Sequence, residues 1–491
     1  MRARASVPLH IAEALLSLAL LVVFFSVRDL PLIDLPQHAL QISSWLHLDA
    51  HDVVASDLEL NFQTPYFLCY PIARLLASIM PVLAALKLIF WASITSQALA
   101  LRALCSRLGH DPWLGLLGFP LGMGYAFCFG FITFCAALPL VYLAILAALD
   151  QRAAPSWRNG LKLGCLLALL LVGHGVALGF SMAVLGPLLL WGEGKAWQRL
   201  LPLLTPVVLG VLWLAPGGTK TRIGGDAWQV EASRLLELPA QLVGYGSVDQ
   251  LATVLGSLLL LTLAWSMGVF RGLRLALPLV VVLLGYACFP TLFRGVGMLQ
   301  ARFSAYVVPA ILLAFRARAN LPSVRRTAIR SASVLLACAV ISVFAYRLRD
   351  FNQETANFHA LVARLPSGLS IRPLLFERTS RAFPGAPAML HVPAYYSVEK
   401  GGSPGYSFAM YSTSVVRFRA GVPIKMGGGA EWAPERFDAE READGYEYFV
   451  VKSSVDRSAI FGGPSPAAVL DQHVGDWWGY RRLSRARAAR F

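Results

Sequence analysis

Charge is scarce in this sequence. Only 14% of its 491 residues are charged and 56% are hydrophobic, whereas a soluble protein carries roughly a quarter charged residues. An ordinary soluble domain is therefore excluded over most of the length. Paired cysteines are lacking too. Cys69, Cys105, Cys128, Cys135, Cys165, Cys288 and Cys338 lie in or beside apolar runs with no CxxC spacing, and they read as small buried hydrophobes. None follows Cys338, so disulfides do not hold the C-terminal region together. There is no internal repeat and no RNA- or DNA-binding motif. Gly427-Gly428-Gly429 does not link a strand to a helix, so it is not a phosphate loop. The net charge of +15 falls largely in short clusters between apolar runs, where basic groups orient helices in a membrane.

What is present is a series of apolar runs of about 15 to 25 residues from Val7 to Tyr346, the pattern of a polytopic helical membrane protein. Arg2 and Arg4 precede Val7–Val27 with no small-residue cleavage site after it, which reads as an uncleaved anchor. The positive-inside rule then alternates the runs Leu83–Leu104, Pro112–Phe129, Ile132–Leu149, Leu200–Ala215, Leu251–Phe270, Leu275–Thr291, Phe303–Phe315 and Ile329–Ala345. Leu161–Trp191 is too long for one span at about 1.5 Å per residue. With basic groups at both ends it is expected to break at Gly173-His174-Gly175, giving about eleven crossings, or 12 to 13 if further segments span. Tyr66–Met80 carries Arg74 and reads as a juxtamembrane or re-entrant helix. Residues 1–346 form the membrane part. From 347 to 480 the composition is that of a soluble α/β domain outside the membrane, with Asn352–Leu365 helical and Ser370–Phe376, Ala388–Val392 and Tyr446–Val451 as short apolar runs. Residues 481–491 are a basic tail.

The first outer loop, 28–65, holds the densest set of titratable groups near the membrane: Asp34, His38, Asp49, His51, Asp52, Asp57 and Glu59. So many such groups beside a span imply contact with water and a use there. Asp34 stands in an Asp-Leu-Pro turn with His38 four residues on. One reading makes Asp34 the cap of a helix beginning near Pro36 and His38 a surface residue. The other makes Asp34 a general base at the membrane–water boundary, tuned by His38.

The early outer Asp within IDLPQH (Ile33–His38), the many short apolar runs, LQARF (Leu299–Phe303) and the outer C-terminal domain together resemble the GT-C type membrane glycosyltransferases, over roughly Val7–Tyr346. The resemblance implies transfer of a sugar from a polyprenyl-phosphate or polyprenyl-pyrophosphate donor to a glycan, lipid or protein acceptor on the extracytoplasmic face. It places the protein in a bacterial inner membrane. In that family an Asp in the position of Asp34 serves as base or as a metal-linked carboxylate. The frequent paired acidic motif is absent here, which leaves Asp29 as a rival base. A divalent metal such as Mg or Mn is left open, and no residue is assigned as its ligand.

Such chemistry needs a base for the acceptor hydroxyl and positive charge at the departing phosphate. Arg302 and Arg294 flank an outer loop, and Lys220 and Arg222 lie in another. Any of these suits phosphate oxygens, though an Arg at a helix end also snorkels to head groups. His174, expected at the outer side, is a further candidate, with a buried core histidine as the alternative. The aromatic stretch Tyr125–Phe131 suits a lipid-tail groove or helix packing through Gly122, Gly124 and Gly130. In His391–Gly402, Tyr395 and Tyr396 suit sugar stacking if that loop faces substrate. The rival functions are a transporter or lipid flippase, which requires mid-span charges and repeats, and a non-catalytic assembly protein.

Overall fold

A computed structural model describes residues 7–52, 55–214, 228, 233–293, 296–319, 321–422, 431–462 and 466–483. Among the described residues, six helices are long and apolar enough to cross a membrane: Val7–Phe25, Val82–Leu108, Pro112–Phe129, Ile132–Ala153, Ala196–Trp213 and Ser323–Arg364. That is fewer than the crossings counted from sequence. The other expected runs are helical but short: Trp157–Gly173, Gly175–Leu190, Gln250–Ser266, Leu273–Cys288 and Ser304–Ala314. Three of these carry an internal proline, Pro187, Pro278 or Pro309, whose missing N–H and bulky ring interrupt the hydrogen-bond ladder.

The chain divides into two compact units. The first is Met1–Ser26, Phe62–Ala73 and Ala84–Ala345; the second is Val27–Asn61, Arg74–Leu83 and Tyr346–Phe491.

In the first unit, small residues set how closely the helices approach. A side chain at Gly118 would meet the Ala98 backbone at 2.4 Å, and one at Gly122 would meet Ile94 at 2.9 Å. Both glycines therefore seat on Val82–Leu108. Gly124 lies as closely against the Leu242 carbonyl. Gly130 has a different use. Its φ of +87° closes the short helix Tyr125–Phe129, a conformation that glycine adopts without a steric penalty. Phe127 stacks on Phe24 at 5.7 Å and meets Phe90 edge-on at 5.4 Å. Polar groups on these helices find partners: Arg102 pairs with Glu13 at 2.5 Å, and the Trp91 indole donates to the Ser17 carbonyl. The long run does break at His174, which has extended backbone between Gly173 and Gly175.

The second unit is built around Leu35–Asp49 and a four-stranded sheet. The strands lie in the order Ile371–Leu375, Tyr448–Lys452, Trp477–Arg482, Ala468–Val474. The first pair is parallel and the other two are antiparallel. Leu374, Phe449, Val451, Phe461 and Tyr480 form its core. A smaller antiparallel pair joins Leu58–Leu60 to Val416–Phe418.

Three local expectations change here, and one hairpin is added. Asn352–Leu365 is the end of the 42-residue helix Ser323–Arg364, because YRLRDF between the two parts contains no Gly or Pro to stop it. Ala388–Val392 is a run of turns ahead of Pro393 rather than a strand. The hairpin Ala468–Val474 to Trp477–Arg482 turns through Gly475-Asp476, with Gly475 at φ +62°, a two-residue loop chemistry that the sequence does display. Arg481 and Arg482, read as the start of the tail, end its second strand.

One ionic clip pins the start of the outer loop within this unit. The Asn352 side chain accepts from the backbone N–H of Arg28 and of Asp29 and donates to the Asp29 carbonyl. Asp29 lies 2.6 Å from His359, which also faces Glu399 at 3.4 Å; Arg28 reaches Glu399 at 2.5 Å. Burial pulls the His359 pKa down, but its hydrogen bonds to Asp29 and Glu399 outweigh that and hold it above the usual 6.5. Burial likewise raises Glu399, and its bonds to His359 and Arg28 more than offset this, leaving it below the usual 4.5. A raised histidine stabilises the fold fully below its unfolded pKa and loses that contribution as pH climbs through the folded value. A lowered Glu contributes above its unfolded pKa and loses it as pH falls through the folded value. The clip is therefore strongest in the window between these limits. Hydrogen exchange over residues 350–400 is expected to speed up beyond the intrinsic rate as pH rises from about 6.5, the unfolded value, through the raised folded value. His359→Gln is expected to remove that extra dependence.

Candidate active site

Asp34 occupies the residue before Leu35–Asp49, yet its side chain makes no capping bond. Its backbone carbonyl serves the helix instead, accepting from His38 N–H at 3.0 Å. Asp34 is 8% exposed, and its Oδ1 lies 3.6 Å from Nε2 of His391. The other face of that imidazole meets Glu431, whose Oε2 is 3.6 Å from Nδ1. A histidine ring thus separates two buried carboxyl groups.

The helix presents these groups on one stripe. Asp34, Gln37, His38 and Gln41 fall at i, i+3, i+4 and i+7 and all are buried, the spacing of a single helix face. Gln37 holds the opposite loop, donating to the Tyr406 carbonyl at 3.4 Å and accepting from Phe408 N–H at 3.2 Å. Gln41 accepts from Val416 N–H at 2.9 Å. The loop returns aromatic faces. Tyr406 stacks flat on His391 at 5.3 Å, and Phe408 stands edge-on to His391 and His38 at 5.8 and 5.6 Å. The Tyr406 and Tyr411 hydroxyls are 2.7 Å apart. A narrow cleft opens here, lined in part by Gln37, His391, Gly405, Tyr406 and Glu431.

Protonation follows from this packing. Burial, reinforced by His38, holds the His391 pKa down to about 3. Burial pushes Glu431 well above the usual carboxyl range; Arg372 opposes the rise and Asp34 adds to it. The rise favours the protonated form of Glu431, and burial favours the neutral form of His391 beside it. Arg372 is itself committed, donating to Glu442 at 2.7 Å and to the Gly405 carbonyl and Tyr446 hydroxyl at 3.3 Å.

The remaining candidates divide by location. Asp29, the rival base, is fully buried in the His359 clip described above. Tyr395 and Tyr396 are 1% and 0% exposed, so neither presents a stacking face. The Tyr396 hydroxyl accepts from Leu369 N–H and donates to the Pro366 carbonyl. Lys220, Arg222 and Arg294 lie outside the described residues, as does Gly427-Gly428-Gly429. Among the described residues, no group of three or more His, Cys, Asp or Glu is placed to hold a metal ion. His391 and Glu431 were not singled out as site residues from sequence. The polar stripe from Asp34 to Gln41 was a readable sign that this helix faces polar partners.

In the first unit, Arg302 and His174 come together. Arg302 is buried with its guanidinium flat over Phe131 at 3.8 Å and Nη2 donating to the Gly297 carbonyl. Its Nη1 lies 3.3 Å from Nε2 of His174. The other His174 nitrogen accepts from Ala177 N–H at 3.1 Å, capping Gly175–Leu190. An accepting Nδ1 leaves the ring proton on Nε2. A donor therefore faces a donor, an arrangement that an anionic oxygen beside both would satisfy.

Asp34→Asn is expected to shift folding stability by less than about 0.5 kcal/mol, since the Asp34 side chain makes no capping bond and asparagine suits the same position. Thermal unfolding in detergent checks this.

Neither a family model nor a curated protein sequence matches this chain. Among solved structures, the chain is similar to the arabinofuranosyltransferase AftD from Mycobacteria, at 15% identity and a TM-score of 0.47, over 97% of this chain and 40% of that one. The chain thus spans less than half the length of that enzyme.

Proposed function

We propose that this protein is an integral membrane glycosyltransferase that moves a sugar from a polyprenyl-linked phosphate or pyrophosphate to an acceptor hydroxyl on the extracytoplasmic face. The observation that carries this reading is Asp34: a carboxylate buried at a helix start, not spent on capping, whose neighbour His391 lines a narrow cleft. In this reading Asp34 takes the proton of the acceptor hydroxyl as the glycosidic bond forms. His38, next to it on the helix face, tunes it. The sugar–phosphate bond breaks, and the departing phosphate needs cationic donors. Arg302 supplies them, with His174 Nε2–H beside it. Arg294, Lys220 and Arg222 are further candidates for the phosphate. The apolar helices give a lipid-borne donor its access, and residues 347–480, read from the sequence as extracytoplasmic, shape access for the acceptor. In bacteria this places the chain in the inner membrane.

The test uses proteoliposomes and a panel of polyprenyl-phosphate pentoses and hexoses, with release of polyprenyl phosphate as the readout. Wild-type protein is expected to release it from at least one donor. Asp34→Asn is expected to lower the rate by about 10²- to 10⁴-fold, the contribution of a positioned base. A folded Asp34→Asn protein that turns over normally removes Asp34 from the chemistry. Arg302→Lys keeps the charge but loses the planar fork and its stacking on Phe131. It is expected to weaken thermal stabilisation by added polyprenyl phosphate by about tenfold in apparent affinity, a modest fraction of what a bidentate contact supplies.

A further inference from the structure

Among the described residues, neither of the two buried carboxyl oxygens of Glu431 has a hydrogen-bond partner. Leaving a buried polar atom unsatisfied costs about 1–3 kcal/mol, so a native fold that keeps two on one residue calls for a physical explanation. The residue is 4% exposed, lines the cleft, and points Oε2 at Nδ1 of His391. The opposite nitrogen of that ring points at Asp34. Both gaps are 3.6 Å, a few tenths of an ångström beyond a hydrogen bond, and a small side-chain rotation closes them.

We infer that Glu431 is a positioning residue that acts on Asp34 through His391, by fixing which imidazole nitrogen carries the proton. This rests on Asp34 being the base. A protonated Glu431 donates its O–H to Nδ1. The ring proton then sits on Nε2, from which it donates to Asp34 Oδ1. The carboxylate is thereby oriented by its contact with the imidazole. No proton is transferred along the chain; it sets orientation. If Glu431 loses its proton, its oxygens can only accept. The ring proton moves to Nδ1, and a nitrogen lone pair then faces the Asp34 carboxylate, which repels it. The arrangement is thus competent below the Glu431 pKa and fails above it. Among the described residues, the titratable and charged groups facing this chain are Asp34, His38, Arg372, Tyr406 and Tyr411. Arg372 favours ionisation of Glu431, and Asp34 opposes it. His391 is in no position to compensate, since Tyr406 covers its ring face at 5.3 Å.

Glutamine and alanine at position 431 separate this role from a merely structural one. The glutamine amide still donates to Nδ1 but cannot ionise. Full-length protein labelled with ¹⁵N-histidine, with a His391→Gln sample to assign the signal, reports the tautomer directly. Wild-type and Glu431→Gln proteins are expected to show Nδ1 unprotonated and Nε2 protonated; Glu431→Ala is expected to show a mixture. In the polyprenyl-phosphate release assay, Glu431→Gln is expected to stay within about threefold of wild type and to lose its alkaline limb. Glu431→Ala is expected to fall by about tenfold or more, part of what a positioned base supplies. Protonated Nδ1 in the wild type overturns the inference. So do equal effects of Gln and Ala, or an alkaline limb that survives in Glu431→Gln. The tautomer readout does not require turnover. Normal release by Asp34→Asn therefore overturns the base assignment, while the His391 signal still decides the link from Glu431 to the imidazole.

Discussion

The candidate site of the second unit depends on where the Asp34 carboxylate lies. At the first residue of a helix an Asp normally turns back to satisfy its own backbone N–H groups. Here Pro36 lacks one of those N–H groups, and the Asp34 backbone adopts helical angles. The side chain is thereby directed away from the helix end and toward His391. A buried carboxylate is tolerated only where its surroundings compensate for lost hydration. The stripe Gln37, His38 and Gln41 on the same face, and the loop they hold in place, provide those surroundings.

The same economy of polar groups recurs in the first unit. Glu13 and Arg102 pair, and Arg199 is wrapped by the carbonyls that end Gly175–Leu190, from Leu189 to Gly194. Arg302 differs. Its guanidinium lies over the Phe131 ring at 3.8 Å, with Nη1 3.3 Å from Nε2 of His174.

Much of this could be read directly, and the rest could not, for identifiable reasons. The break at His174 followed from run length and flanking basic residues, because bilayer thickness limits helix length. The helix after Asp34 followed from Pro36 at its first turn. Glu431 and His391 could not be matched to Asp34, since more than 350 residues separate them in the chain and no local pattern encodes such a contact. The hairpin around Gly475-Asp476 was legible but its strands alternate poorly, with Asp471, Gln472 and His473 in succession. Tyr395 and Tyr396 resembled stacking residues by type, yet fold packing claims both. The continuous helix Ser323–Arg364 was divided because its composition changes from apolar to polar near Tyr346, a change of solvent rather than of secondary structure.

The most direct measurement of the central claim is chemical rescue at position 34. Replacing Asp34 by Gly removes the carboxymethyl group and leaves a space into which formate fits, so an added carboxylate can take over proton abstraction without any change elsewhere. In proteoliposomes supplied with a polyprenyl-phosphate sugar, the Asp34→Gly protein is expected to be nearly inactive and to regain polyprenyl phosphate release saturably with formate. The same substitution at Asp29 is expected to gain nothing from formate. Full release by Asp34→Gly with no formate present would contradict the account.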